Sequence, residues 1–405
     1  MHGILRWLSA LAILSVTGAV AAPTTPTLIL ADTSFLVSIG IPLLDADPAT
    51  GVALAQVTPR EEVRLQLAAH LHGKCGGFER LSIQPWMTTA EIRDFGQRQL
   101  HQLRESTWNL EHLAPGLPGL PGLIAKPQIA AALEQVDESR LRDTVTWLSS
   151  FPTRFNKAST ANVHVEQFRQ KLEAMLSGTS VDARVDLISH QSTPQKSIRV
   201  RIPGRDHPEE TVVLGAHLDS INQSWGESRA PGAEDNASGS SNLFEALRIL
   251  VSQGRPAKSI EFFWYAGEES GLLGSAEIAQ QYAAARRHVI AVLQLDMTLF
   301  PGDGEFVLGS MTDFTSPLLR RWLGDLNKAY IGARIVEDKC GYGCSDHASW
   351  HRQGYPTIMP FEASFDRMFP DLHTIRDVID HRSSFRHSAM FSKIAVAFAM
   401  ELGGY

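Results

Sequence analysis

From Lys196 onward the chain alternates near-continuous apolar runs with amphipathic ones: "KSIRVRIPG", "ETVVLGAHLDS", "SSNLFEALRILVSQG", "SIEFFWYAGEE", "LLGSAEIAQQYAAARR", "HVIAVLQLDM", "GEFVLGS" and "SPLLRRWLGDLNKAY". Short runs rich in Val, Ile, Phe and Trp, with little polar alternation, are the pattern of strands buried on both faces; the stretches between them carry apolar residues at helical spacing. Strands that alternate with covering helices predict an α/β domain with a largely parallel, mixed central sheet and helices on both faces. In such sheets ligands gather beyond the carboxyl ends of the strands.

The residues at those ends are histidines and carboxylates. His217 and Asp219 close "TVVLGAHLDS", Asp235 lies in "PGAEDNASG", Glu268 and Glu269 follow "SIEFFWYAG", Asp296 closes "VIAVLQLDM", and His373 comes later in "PDLHTIRDVID". Singly, each has an ordinary reading: a strand-end histidine as a hydrogen-bonded surface residue, Asp235 as a turn former, Asp219 as a cap. Asn236-Ala237-Ser238 also matches a glycosylation acceptor. Together they form an imidazole and carboxylate set without thiolate, suited to zinc, manganese or cobalt at a catalytic centre. Five ligands exceed the need of one tetrahedral ion with an open position, whereas two ions about 3.5–4 Å apart sharing one carboxylate would use them all.

The motifs "GAHLDS", "PGAEDNASG", "YAGEESGLLGS", "LQLDMT", "CGYGCSDHASWHRQGYP" and "LHTIRD", in this order, resemble those of the bacterial secreted leucyl aminopeptidases, a two-zinc exopeptidase family. The resemblance runs from Gln128 to Gly403 and leaves out the N-terminal region. It implies two Zn2+ ions bridged by Asp235, one completed by His217 and Asp296 and the other by Glu269 and His373. Asp219 would hold the His217 imidazole in its tautomer and orientation. Glu268 would stay free of metal, take a proton from the attacking water and give it to the departing amine; as neighbours, the two glutamates are expected on opposite sides of the backbone. The resemblance further implies an S1 pocket around Met297, Cys340, Cys344, Phe361 and Phe365, the Tyr342 hydroxyl close to the oxyanion, and a Cys340–Cys344 disulfide. The implied substrates are peptides with a free, leucine-like N-terminus.

Two departures stand out: Met368 where the family puts an aromatic residue, and Glu234-Asp235-Asn236 in place of a run of aspartates. A glutaminyl cyclase on a related fold, working with one zinc, and an inactive binding ectodomain are the competing readings; the full ligand set counts against both.

The remaining features bound the setting. A formal net charge of -7 offers no general attraction for nucleic acid or anionic membranes. Residues 1–21 read as a signal peptide, because the apolar run from Leu8 to Val20 is shorter than the roughly 20 residues of a spanning helix. The expected product is a secreted monomer, extracellular or periplasmic before release, with no membrane span after signal removal. Residues 22–126 hold an apolar stretch, "TLILADTSFLVSIGIPLL", and two helical ones, the second opened by a Thr88–Glu91 capping box. They end in "APGLPGLPGLIAKP", a linker that can continue neither helix nor strand. This region is expected to be a propeptide preceding a catalytic domain at 127–405. It carries the odd cysteine, Cys75, while Cys340 and Cys344 are close enough for a local bridge.

Overall fold

The computed structural model describes residues 26–71, 78–81, 83, 86–112, 123–222 and 229–405. The signal segment, Cys75 and most of the Pro-Gly linker lie outside the described residues.

The N-terminal unit comprises β1 (Thr27–Asp32), α1 (Thr33–Ser38), β2 (Leu43–Asp47), β3 (Val52–Val57), α2 (Pro59–Leu71), β4 (Phe78–Leu81) and α3 (Thr89–His112). Its strands form an antiparallel sheet in the order β2-β3-β1-β4. The apolar run that begins at Thr27 does not stay extended: the Asp32 carboxylate accepts the Phe35 N–H at 2.6 Å and starts the α1 turn. The Thr88–Glu91 box forms as expected, with Glu91 accepting the Thr88 N–H at 2.7 Å and Thr88 Oγ1 accepting the Glu91 N–H at 3.3 Å.

The second unit opens with α4 (Pro127–Leu133), α5 (Glu138–Ser149) and α6 (Val163–Leu176), followed by β5 (Arg184–Ile188), β6 (Ser197–Ile202), β7 (His207–His217) and α7 (Gly239–Ser252). Next come β8 (Lys258–Tyr265), α8 (Leu273–Ala284), β9 (His288–Gln294), β10 (Val307–Met311), α9 (Pro317–Tyr330) and β11 (Arg334–Asp338). The last elements are α10 (His347–Arg352), β12 (Thr357–Ile358), β13 (Pro360–Phe361) and α11 (Phe385–Gly403). The central sheet runs β12-β9-β7-β8-β6-β5; β12, β9, β7 and β8 pair in parallel, and β6 and β5 join antiparallel. A smaller sheet, β11-β10-β13, stands beside it.

Alternation along the central strands explains the layering. Val212, Leu214 and Ala216 of β7, with Ile260, Phe262 and Trp264 of β8, face α7 and α11 in the main core. Val213, Phe263 and Tyr265 face the opposite way, toward Ile278 of α8 and Trp350 of α10. Each of the Val, Leu, Ile and Phe side chains contributes about 1.5–3 kcal/mol on burial. Gly215 has no side chain because a Cβ there would stand 2.4 Å from the Tyr265 ring, whose hydroxyl accepts the Trp350 indole N–H at 2.8 Å. Among the described residues no helix is long and apolar enough to cross a membrane.

The two units share a partly buried seam. Arg352, at the end of α10, pairs with Glu79 of β4, and both side chains are almost fully buried. Gln102 of α3 donates to the Arg352 carbonyl at 3.3 Å, and Phe314 packs against the apolar cluster that includes Leu28, Leu30, Leu54 and Leu81. Lys126, where the second unit begins, is tied to α11 through Glu401 at 2.6 Å. Replacing Glu79 with Ala strands the Arg352 charge in a buried site, which costs about 3–5 kcal/mol. Denaturant unfolding of Glu79→Ala should show that loss, and a Glu79→Leu/Arg352→Met pair should recover most of it; an unchanged midpoint in the single variant would show that the pair does not hold the seam.

Candidate metal centre

β7 ends at His217, whose Nε2 lies 3.0 Å from Asp235 Oδ1 and 3.2 Å from Asp296 Oδ1. On the other side of Asp235, His373 Nε2 lies 2.8 Å from Oδ2 and 3.0 Å from Glu269 Oε2. The Asp235 carboxylate therefore turns one oxygen to each of two histidine–carboxylate pairs, and all five side chains are buried.

Local backbone sets this arrangement. Asp235 sits in a turn, Ala233–Ser238, that leads directly into α7, so the positive end of that helix adjoins the carboxylate. The Asp235–Asn236 peptide is cis. Asn236 stitches the turn to the end of β9: its Nδ2 donates to the Leu295 carbonyl at 3.0 Å, and its Oδ1 accepts the Met297 N–H at 3.3 Å, beside Asp296. Asp377 accepts the N–H groups of Glu234 and Asp235 at 2.7 and 3.1 Å.

Glu268 and Glu269 do not sit on a strand end. β8 stops at Tyr265, and Gly267, with φ +65°, turns the chain into a single 3-10 turn, Glu268–Ser270. Turn geometry rather than strand alternation separates the two carboxylates. Asp219 anchors that turn by accepting the Glu268 and Glu269 N–H groups at 3.1 and 3.3 Å, while its Oδ1 stands 3.5 Å from His217 Nδ1. One carboxylate thus fixes both the imidazole and the glutamate pair. Glu269 reaches His373, whereas both Glu268 oxygens are buried and accept no hydrogen bond from the described residues.

The electrostatics call for added positive charge. Burial pushes the Glu268 carboxyl well above its usual range, with Glu269 and Asp296 adding to the rise against His217. Burial and the Asp235 charge bring Glu269 to about 8, although His373 opposes them. Burial alone would lower His373, but Glu269 and Asp235 outweigh it and hold the imidazole's proton up to about 10. Arg154 supplies one fixed charge nearby; its guanidinium is fully buried and donates to the carbonyls of Leu148, Leu218, Pro231 and Gly232 at 2.5–3.1 Å. With both imidazoles neutral, as metal ligation requires, that is too little for Asp219, Asp235, Glu269 and Asp296 together. The donor atoms of His217, Asp235 and Glu269 all lie within 4.8 Å of one another. A hard-to-borderline divalent cation fits this set and offsets the buried carboxylates.

Beside Asp296 an apolar pocket is lined by Met297, Tyr342, Cys344, Met359, Phe361, Phe365, Met368 and Leu372. Cys340 and Cys344 are disulfide-bonded and close the loop that carries Tyr342. Sequence reading missed Met359 and Leu372 in the pocket, and Ser345, whose hydroxyl donates to Asp296 Oδ2 at 2.6 Å. It also missed Arg154, which has no motif of its own, and Asp377; Asp377 closes "LHTIRD" and Ser345 lies inside "CGYGCSDHASW", so both could have been found there.

Because a ligating imidazole must be neutral, a metal held by His373 would have to displace, at neutral pH, the proton that His373 retains up to about 10. Zinc affinity, measured by chelator competition, should therefore rise with pH across neutrality, by about tenfold per unit for each proton displaced. An affinity independent of pH would show that no ligand proton is lost.

Residues 197–398 match Peptidase family M28. A probable leucine aminopeptidase of Trichophyton verrucosum (strain HKI 0517) is 36% identical over 280 residues, spanning 68% of this chain and 76% of that protein. Leucine aminopeptidase 1 of Metarhizium robertsii is 36% identical over 292 residues, 69% of this chain and 73% of its own. In fold, the chain is similar to the LapA aminopeptidase of Legionella pneumophila, with a TM-score of 0.78 and 27% identity over 94% of this chain and 99% of LapA. That coverage takes in the N-terminal unit as well as the domain with the carboxylate cluster. With more than a third of residues identical over about three quarters of a curated relative, the chain belongs to peptidase family M28.

Proposed function

We propose that the protein is a secreted aminopeptidase that uses two zinc ions to release leucine-like residues from peptide N-termini. The observation that carries this reading is the Asp235 carboxylate facing two histidine–carboxylate pairs, with the unpaired Glu268 beside it. His217 and Asp296 would hold one ion, His373 and Glu269 the other, and Asp235 would contribute to both. When bound, the ions acidify water and polarise the scissile carbonyl. Glu268 then accepts a proton from the attacking water and returns it to the leaving amine. Tyr342, at the pocket wall beside Asp296, presents its hydroxyl toward the oxyanion. The apolar pocket receives the first side chain, consistent with the names of the fungal relatives. A one-zinc cyclase would leave the duplicated pairing around Asp235 without a use.

Purified protein should release leucine from leucine-terminated peptides in preference to arginine- or glutamine-terminated ones, and a chelator should abolish the activity. Glu268→Gln should fold and bind metal yet lose at least about 10²–10⁴-fold in kcat; Glu269→Gln should lose metal and recover partly at high zinc. Near-normal turnover by a metal-replete Glu268→Gln would leave the second carboxylate a structural role only.

The N-terminal unit fits a pro-region cut in the Pro-Gly linker of a chain exported by its signal segment. Its support is where the unit touches: the Phe78 carbonyl lies against Gly271, two residues after Glu269, and the Asp32 carboxylate faces Gly341, next to Tyr342. Both contacts flank the proposed site. Mass spectrometry of the secreted active enzyme should find a start near the linker; a fully active chain that still contains Cys75 would overturn this.

A further inference from the structure

We propose that Met368 is the movable wall of the substrate pocket and makes the enzyme selective for N-terminal side chains of about its own size, those of leucine and methionine. This rests on the aminopeptidase reading.

The pocket beside Asp296 is narrow: the volume that admits a water is about 10 Å³, room for about one water. A leucine side chain can enter only if a wall moves. Most walls cannot. Met297, Met359, Phe361 and Leu372 are buried in one packed cluster with the disulfide, and Phe361 and Phe365 lie against each other with ring centres 6.1 Å apart. Phe365 also meets the Tyr342 ring edge-on at 6.4 Å.

Phe365 and Met368 bracket the short turn Phe365–Arg367, whose backbone is tied down at both ends. Asp303 accepts the Ser364 N–H at 2.6 Å, and Asp338 accepts the Phe365 N–H at 2.8 Å. On the far side Glu362 accepts the Phe369 N–H at 2.8 Å, and the Phe369 ring is covered by Phe300 and Arg382. With the turn pinned, opening falls to a side chain. Met368 is only partly buried, unbranched and rotates about three bonds, so it can swing outward without disturbing the backbone.

The space released is that of one methionine side chain. Leucine and methionine fill it; alanine leaves it partly empty; phenylalanine exceeds it and meets the fixed Phe361. An aromatic residue at this position would be a stiffer wall, so the methionine is what makes the pocket adaptable.

The test compares wild type with Met368→Ala, both zinc-loaded, on peptides beginning with leucine, phenylalanine and alanine. The ratio of kcat/KM for phenylalanine to that for leucine should rise at least about tenfold in Met368→Ala. In wild type carrying methyl-¹³C methionine, the Met368 signal, assigned by its loss in the variant, should move on adding L-leucine and stay put with glycine. A ratio unchanged within about twofold and an unmoved methyl, in an enzyme that releases leucine, would overturn the proposal and leave the aminopeptidase reading intact. A methyl that moves with L-leucine in a protein that cleaves none of the peptides would overturn the aminopeptidase reading while supporting Met368 as the movable wall.

Discussion

The carboxylate of Asp235, shared between His217 and His373, is the constraint around which the catalytic half is organised. Asp219, Glu268, Glu269 and Asp296 are buried around it, and burying one unpaired carboxylate already costs several kcal/mol. Such a concentration persists only if the fold supplies compensation from several directions. The start of α7 contributes its dipole, Arg154 a fixed charge, and the backbone of the 3-10 turn its two N–H groups to Asp219. The negative charge these leave uncompensated is what a bound metal would offset.

The same residues show why the surrounding loops are rigid. Asn236, Asp377 and Arg154 bond almost entirely to backbone groups, not to other side chains. A side chain that bonds a main-chain group fixes the course of the loop, and so the direction of its neighbour's ligand atom. Arg154 joins the carbonyl after β7 to the two preceding Ala233, so His217 and Asp235 cannot drift apart independently. The parallel strands bring the loops to one edge; this polar stitching determines their separation there.

Much of this was legible in the chain. Apolar runs mark β6 to β9 because a strand covered on both faces needs no polar alternation, and His217, Asp235, Asp296 and His373 stand in or beyond the loops those strands feed. What could not be read depends on tertiary approach. The Glu268–Glu269 pair looks like a strand end until Gly267 is seen to turn the chain. Arg154 lies in an ordinary segment, and only its neighbours in space give it a role. The four-stranded N-terminal sheet was hidden because β2, β3 and β4 are short and pair across the α1 turn and the α2 helix, which periodicity does not record.

The seam between the units bears on whether the first can leave the second. Truncating Glu79 in the intact chain strands a charge in a dry place, but departure of the whole N-terminal unit returns both Arg352 and Glu79 to water. The hydration regained offsets most of the lost pairing, since a buried ion pair contributes little net stability relative to its solvated partners. Resistance to separation comes rather from apolar contact such as that of Phe314 with the N-terminal cluster that includes Leu28, Leu30, Leu54 and Leu81, whose exposure costs about 25 cal/mol per Å². An ion pair that is expensive to mutate and inexpensive to hydrate fixes the register of two docked units without making their union permanent.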